Sequence, residues 1–273
     1  MPLGWFRRRQ LAPAIDDASW TQVREALAAV VPLREEHWPR LRELAERFAC
    51  DKNFSGAHGF EVTPLVRASI AAQACLPALG LGLGGYHDFV EIVVYPAQFR
   101  VPRRRTDEAG VVHETEEWLA GEAMDGGPVV LSWEDAEPGA SQAGASVVVH
   151  EFVHKLDMLD GEADGIPPLP ASRRTAWVNA LDAAYDDFCA RLDAIERMLP
   201  RDVDPESEAA DPWYAELPLD PYAATDPAEF FAVSGEAFFV APDRLRSTYP
   251  AWHAELAAFF RIELGHQQAD DEK

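Results

Sequence analysis

Apolar positions recur at helical spacing between Ser19 and Cys50: Val23, Leu27, Val30 and Val31 share one face, with Asp17 or Ser19 as the expected cap. Pro32 divides the stretch, so that Leu41, Leu44 and Phe48 belong to a second helix. Leu65 to Leu79 predicts an almost wholly apolar helix in which Arg67 is the only charge, ended by the cluster Gly80, Gly82, Gly84 and Gly85. That cluster follows a helix rather than a strand and lacks the Gly-Lys-Ser/Thr of a phosphate loop, so it is read as a turn.

The pattern then changes period. Phe89-Val90-Glu91-Ile92-Val93-Val94-Tyr95 is β-branched and aromatic and closes at Pro96, which predicts a strand. A second is expected to begin at Gly110-Val111-Val112-His113. A third, Pro128 to Trp133, is entered through the turn Asp125-Gly126-Gly127. Helical periodicity returns at Ser146 to Leu159 and in a long amphipathic stretch from Arg173 to Met198. Arg201 to Pro218, rich in Pro, Asp and Glu, reads as an acidic surface loop, and helices follow at Pro227 to Phe239 and Asp243 to Leu264. The expected fold is α+β, mainly helical with a small mixed sheet just upstream of the 146–159 helix. One domain is expected over 19–265, with an N-terminal extension over 1–18 and an acidic tail over 266–273.

Charge narrows the function classes. Against 24 Lys and Arg stand 47 Asp and Glu, a formal net charge of -23, which repels nucleic acid and anionic membranes. The only basic runs, Arg7-Arg8-Arg9 and Arg103-Arg104-Arg105, are short and read as solvated surface charge. Cys50, Cys75 and Cys189 are scattered and odd in number, so neither a disulfide framework nor a Cys-x-x-Cys metal pair is expected. The start of the chain lacks the apolar stretch of a secretory signal, and the apolar run around Ala71 to Leu83 is too short and interrupted to span a bilayer. A cytoplasmic location is expected.

The chemistry concentrates in His150-Glu151-Phe152-Val153-His154. Residues four apart on a helix lie one above the other, so both imidazoles reach one point, and neutral imidazole is a preferred zinc ligand. Glu151, beside the first ligand, is placed to take the proton of the attacking water rather than to bind metal. Alone the pentamer is a weak signal, since chance delivers it in roughly one chain in fifty of this length. The strands just before it strengthen it, because a sheet edge beside the metal offers a peptide substrate a strand to lie along. No histidine follows at metzincin spacing, where Asp157 and Asp160 stand instead. A later glutamate is therefore the expected third ligand. Glu229 is the leading candidate: it follows the helix start Asp226-Pro227 and precedes Phe230 and Phe231, apolar company in which a lone carboxylate needs a partner. Glu236, two turns later, is the alternative. Asp157 is a candidate acceptor for an imidazole N–H.

The run His150-Glu151-x-x-His154-Lys155-Leu156-Asp157, followed by Asp220-x-Tyr222-Ala223-Ala224-x-Asp226-Pro227-Ala228-Glu229-x-Phe231-Ala232-Val233, resembles the Mlc titration factor A family. Gly59-Phe60-Glu61 and Tyr95-Pro96-Ala97 add to the likeness, which runs from about residue 40 to 260. The tyrosine and glutamate spacing is also similar, more distantly, to the catalytic domain of anthrax lethal factor. The resemblance implies a zincin-like fold and a zinc ion held by His150, His154 and Glu229. It implies Glu151 as general base, and Tyr222 aimed at the oxygen that gains negative charge in hydrolysis. It further implies a histidine at the metal in the position of His113, a residue that its own surroundings would assign to the surface. The expected activity is hydrolysis of short peptides in an aminopeptidase-like manner. The alternative is a regulatory protein that captures a glucose-responsive transcription repressor. The acidic 201–218 stretch departs from the family and is expected to bear on access to the cleft.

Overall fold

The computed structural model describes residues 15–106, 112–138, 145–205, 207 and 209–265, with side chains described outside 102–118. Helices α1 (Asp17–Ala28) and α2 (Trp38–Asp51) lead into strand β1 (Asn53–Gly56), helix α3 (Pro64–Ala74) and strand β2 (Glu91–Tyr95). The cap of α1 is Asp16, one residue before the expected candidates; its side chain accepts from the Ser19 N–H at 2.9 Å and the Ser19 hydroxyl at 2.7 Å. Ile15 is buried in the core, so the fold takes in residues that the sequence assigns to the extension. Residues 1–14 of the expected extension and the expected 266–273 tail lie outside the described residues.

After β2 the chain makes the hairpin β3 (Phe99–Thr106) and β4 (Val112–Leu119), in the register Phe99↔Leu119 through Thr106↔Val112. Strand β5 (Gly121–Ala123) then turns into β6 (Val129–Ser132). The main sheet has the order β1-β2-β6-β5, with β1, β2 and β6 parallel and β5 antiparallel to β6 at the edge. The mixed sheet is the one expected, but three of its neighbourhood's strands, β1, β3 and β5, carry no strong strand signal. Trp133 opens the short helix α4 (Trp133–Ala136) instead of ending a strand.

Helix α5 (Val147–Asp157) follows, capped by Ser146, whose side chain accepts from the Val149 N–H. Val148, Val149, Phe152, Val153 and Leu156 anchor it in the core; fully burying each such side chain contributes about 1.5–3 kcal/mol. Next come α6 (Ala171–Glu196), α7 (Asp211–Tyr214), α8 (Pro227–Val240), α9 (Pro242–Thr248) and α10 (Pro250–Phe260). The last stretch is thus two helices, because Pro250 cannot continue α9 and instead starts α10. The acidic 201–218 segment is partly packed: Ala210 and Leu217 are buried, and Arg244 of α9 donates to the Ala215 carbonyl.

Helix α8 is the centre of the molecule. Phe230 and Phe231 join Trp177, Trp252, Phe259 and Phe260 in an aromatic cluster in which Trp177 and Trp252 meet edge-on at 4.7 Å. Its other side lies against α5. A Cβ on Gly235 would stand 2.7 Å from Val153 Cγ2, so only glycine lets the two helices approach this closely. Among the described residues, no helix is long and apolar enough to cross a membrane.

Candidate metal centre

The close approach of α5 and α8 brings together the polar groups each helix carries. His150 Nε2 and His154 Nε2 are 3.1 Å apart, and Glu229 Oε2 lies 3.0 Å from the first and 3.2 Å from the second. Glu229 is in the first turn of α8, whose cap is Asp226, accepting from the Glu229 N–H at 2.9 Å, with Pro227 at the first helical position. Among the described residues, His150, His154 and Glu229 are the one group of three able to hold a metal ion.

The triangle suits an ion. Tetrahedral coordination with bonds of about 2.0–2.1 Å separates ligand atoms by about 3.3 Å, so these three atoms need to spread only slightly to accept one. Their chemistry also fits: two imidazole nitrogens and a carboxylate oxygen converge with lone pairs toward a common point, leaving the remaining positions open.

Behind the triangle stands Glu236, seven residues after Glu229 and on the same face of α8. Its Oε1 lies 2.7 Å from His150 Nδ1, and its Oε2 accepts from the Ser146 N–H at 2.7 Å. A carboxylate on Nδ1 fixes the tautomer that leaves Nε2 free for metal. Glu236 is thus separated from the triangle and orients one corner of it. Asp157, expected to accept from an imidazole, is turned elsewhere: its Oδ2 accepts from the Gly165 N–H at 2.8 Å, and its buried Oδ1 has no hydrogen-bond partner. His113 lies on β4 opposite Arg105, and its side chain, expected at the metal, is outside those described.

The electrostatics follow from burial and pairing. Burial works against a charged His150, but its bonds to Glu229 and Glu236 outweigh this and hold its pKa well above 6.5. Burial also opposes the Glu229 carboxylate, and here the two imidazoles win, keeping it well below the usual carboxylate range. Glu151 is 5% exposed and has no such direct partner; burial dominates and raises its pKa, against the pull of His150 and His154. Tyr222 sits on the short turn Pro221–Ala224, where Asp220 accepts from its N–H at 2.9 Å. Its ring is 6.1 Å from the His150 ring, and burial together with the neighbouring Glu229 raises its pKa above 10, so it stays protonated.

Two features escape sequence reasoning. Strand β5 lies along α5: a Cβ on Gly121 would stand 2.5 Å from Glu151 Oε1 and 2.8 Å from Val147 Cγ2. Lys155, next to His154, turns inward and donates to the carbonyls of Met124 at 2.5 Å and Gly127 at 3.1 Å, tying the β5–β6 turn to the same helix. A buried lysine in the middle of the motif is the one signal that could have pointed there.

A metal centre accords with the family to which comparison with known proteins assigns the chain. The family model described as glucose-regulated metallo-peptidase M90 matches residues 3–261. Proteins called Mlc titration factor A from Salmonella gallinarum and Salmonella typhi are each 34% identical over 258 residues, covering 94% of this chain and 91% of theirs. The protein of that name from Escherichia fergusonii is 34% identical over 237 residues, covering 86% of this chain and 83% of its own.

Proposed function

Since this chain belongs to the glucose-regulated metallo-peptidase M90 family, we propose that it is a zinc-dependent peptidase of zincin-like fold and gluzincin type, formed by one domain that starts by Ile15 rather than at residue 19. The observation that carries the reading is the convergence of His150, His154 and Glu229 beside a buried glutamate, Glu151, that lies outside the triangle. A zinc ion held by the three would supply Lewis acidity to the scissile carbonyl and to water.

The chain's own residues supply the rest. Glu151, with its basicity raised by burial, takes the proton of the attacking water and passes it to the leaving amine. Tyr222 keeps its proton and donates a hydrogen bond to the carbonyl oxygen as negative charge grows there. Among the described residues β5 is the last strand of its sheet, and its outer edge offers a peptide backbone a strand to lie along. Short peptides attacked from the amino end are the proposed substrates. The acidic surface and the few, scattered cysteines favour the cytoplasm and disfavour nucleic acid and membrane partners.

The test is Glu151→Gln. It preserves shape and leaves the metal-binding atoms in place, so zinc content should be unchanged while hydrolysis falls by about 10² to 10⁴. Undiminished hydrolysis by the zinc-loaded variant would overturn the assignment.

A second reading comes from the relatives' name, Mlc titration factor A. It suggests that this chain also captures a glucose-responsive transcription repressor. Repressor binding that survives Glu151→Gln would separate that role from catalysis.

A further inference from the structure

Strand β5 is three residues long, and two independent contacts fix its distance from α5. At one end, the space above Gly121 Cα is filled by the Glu151 side chain: an added Cβ would stand 2.5 Å from Oε1 and 2.7 Å from Cγ. Val147, one turn before Glu151 on the same face, closes the slot from the other side, with Cγ2 at 2.8 Å from that Cβ. At the other end, Lys155 holds the turn after β5 through the Met124 and Gly127 carbonyls, and its Nζ lies 4.6 Å from the Phe89 ring centroid.

The hydrogen-bond alternation says which way β5 faces. Met124 N donates to Pro128 O and Ser132 N to Ala120 O, so residues 120, 122 and 124 point their backbone groups at β6. Gly121 and Ala123 therefore point theirs away from β6, toward the outer edge of the sheet. The Ala123 N–H lies close enough to Glu151 to favour its charged form.

We infer that Gly121 is a positioning residue for Glu151: its missing side chain is the slot that holds the general base. The inference rests on the proposed peptidase role of Glu151. A methyl group at 121 must displace something. Lys155 and β6 hold the strand against the helix, so the backbone gives little, and Val147, branched at Cβ, gives less than an unbranched side chain. The Glu151 side chain, unbranched and movable from Cγ outward, is what gives most. His150 and His154 point at Glu229 and stay where they are. The substitution therefore moves the base and spares the metal ligands.

Gly121→Ala should reduce kcat by about 10- to 100-fold, since a misplacement of about 1 Å at a reacting group costs on that order. KM and zinc affinity by chelator competition should hardly change, while the melting temperature falls by a few degrees because the new methyl also crowds Val147. The discriminating measurement is a double-mutant cycle in kcat with Glu151→Asp, whose side chain is one methylene shorter. Glu151→Asp should cost clearly less in the Gly121→Ala background than in the natural one, because the shorter acid no longer competes with the new methyl. A readout without turnover is the Ala123 amide resonance of the zinc-free protein, which should shift in the same direction in Gly121→Ala and in Glu151→Ala. Additive kcat losses, or an Ala123 resonance unmoved by Gly121→Ala, would overturn the inference. If Gly121→Ala does not fold, Gly121→Ala with Val147→Ala restores room and carries the same measurements. Failure of the peptidase reading looks different: Glu151→Gln itself would then remain active.

Discussion

His150 is 9% exposed and Glu236 7%, whereas Tyr222, whose ring lies only 6.1 Å from that of His150, is 49% exposed. The two histidines and two glutamates are held by helices that pack tightly, and the position of each is over-determined by core contacts and by hydrogen bonds such as Ser146 N–H to Glu236. Tyr222 stands on a single turn secured by Asp220 and the buried Ala223. The centre thus divides into a part assembled by folding and a part at its mouth. Substitutions in the first should register in metal binding, and substitutions in the second in rate alone.

The largest effect expected from this division is on metal affinity. Glu229→Ala removes a corner of the triangle, while Glu236→Ala removes the group that orients His150. Loss of such an orienting partner typically costs about 10- to 100-fold in affinity. Glu229→Ala should cost more than that in a chelator titration. Equal losses would break the distinction between ligand and support within the buried part.

Tyr222→Phe tests the other side. Zinc affinity and KM should stay, and kcat should fall by about 10² to 10³, the usual cost of one donor to a developing oxyanion. The melting temperature should move by no more than about 2 °C, as for other surface substitutions in a chain of this size. An unchanged kcat with lowered stability would make Tyr222 a packing residue and dissolve the contrast.

The same division describes what could be read from the sequence. The ligands on α5 and the start of α8 obey local rules: i,i+4 spacing for His150 and His154, and a cap followed by proline before Glu229. Such signals survive without tertiary information. The separate task of Glu236 does not, because it depends on Gly235 letting α8 approach Val153 and so on how two distant helices dock. Tyr222 was legible only through family resemblance, since the seven residues to Glu229 cross from a turn into a helix. Strand β5, Gly-Glu-Ala, has no residue with strong strand preference and is a strand because β6 pairs with it. For the same reason the slot at Gly121 could not be seen: it belongs to the contact between that strand and α5.

Asp157 sharpens the comparison with the smallest expected effect. It is fully buried, one turn past His154 on α5, and lies in the assembled part yet is only half satisfied: Oδ2 accepts from Gly165 and Oδ1 from nothing. Burial pushes its pKa up from 3.8 to about 7. The folded protein therefore keeps a proton that the unfolded chain releases, so this contribution to stability is full below about pH 4 and is lost as pH rises to about 7. Three pH units at 1.36 kcal/mol each set its upper size at about 4 kcal/mol. Asp157→Asn removes the titration, keeps an acceptor for Gly165 and leaves an amide N–H unpaired at about 1–3 kcal/mol. In the metal-free protein the variant should therefore be more stable above pH 7, by about 1–3 kcal/mol, and no more stable near pH 4. A bound dication one turn away favours the ionised carboxylate, so loading with zinc should shrink the variant's advantage at high pH. Melting curves of both proteins at pH 4.5 and 8, with and without zinc, decide the matter. A gap independent of both pH and metal would mean that Asp157 does not titrate with folding and is electrostatically separate from the centre it adjoins.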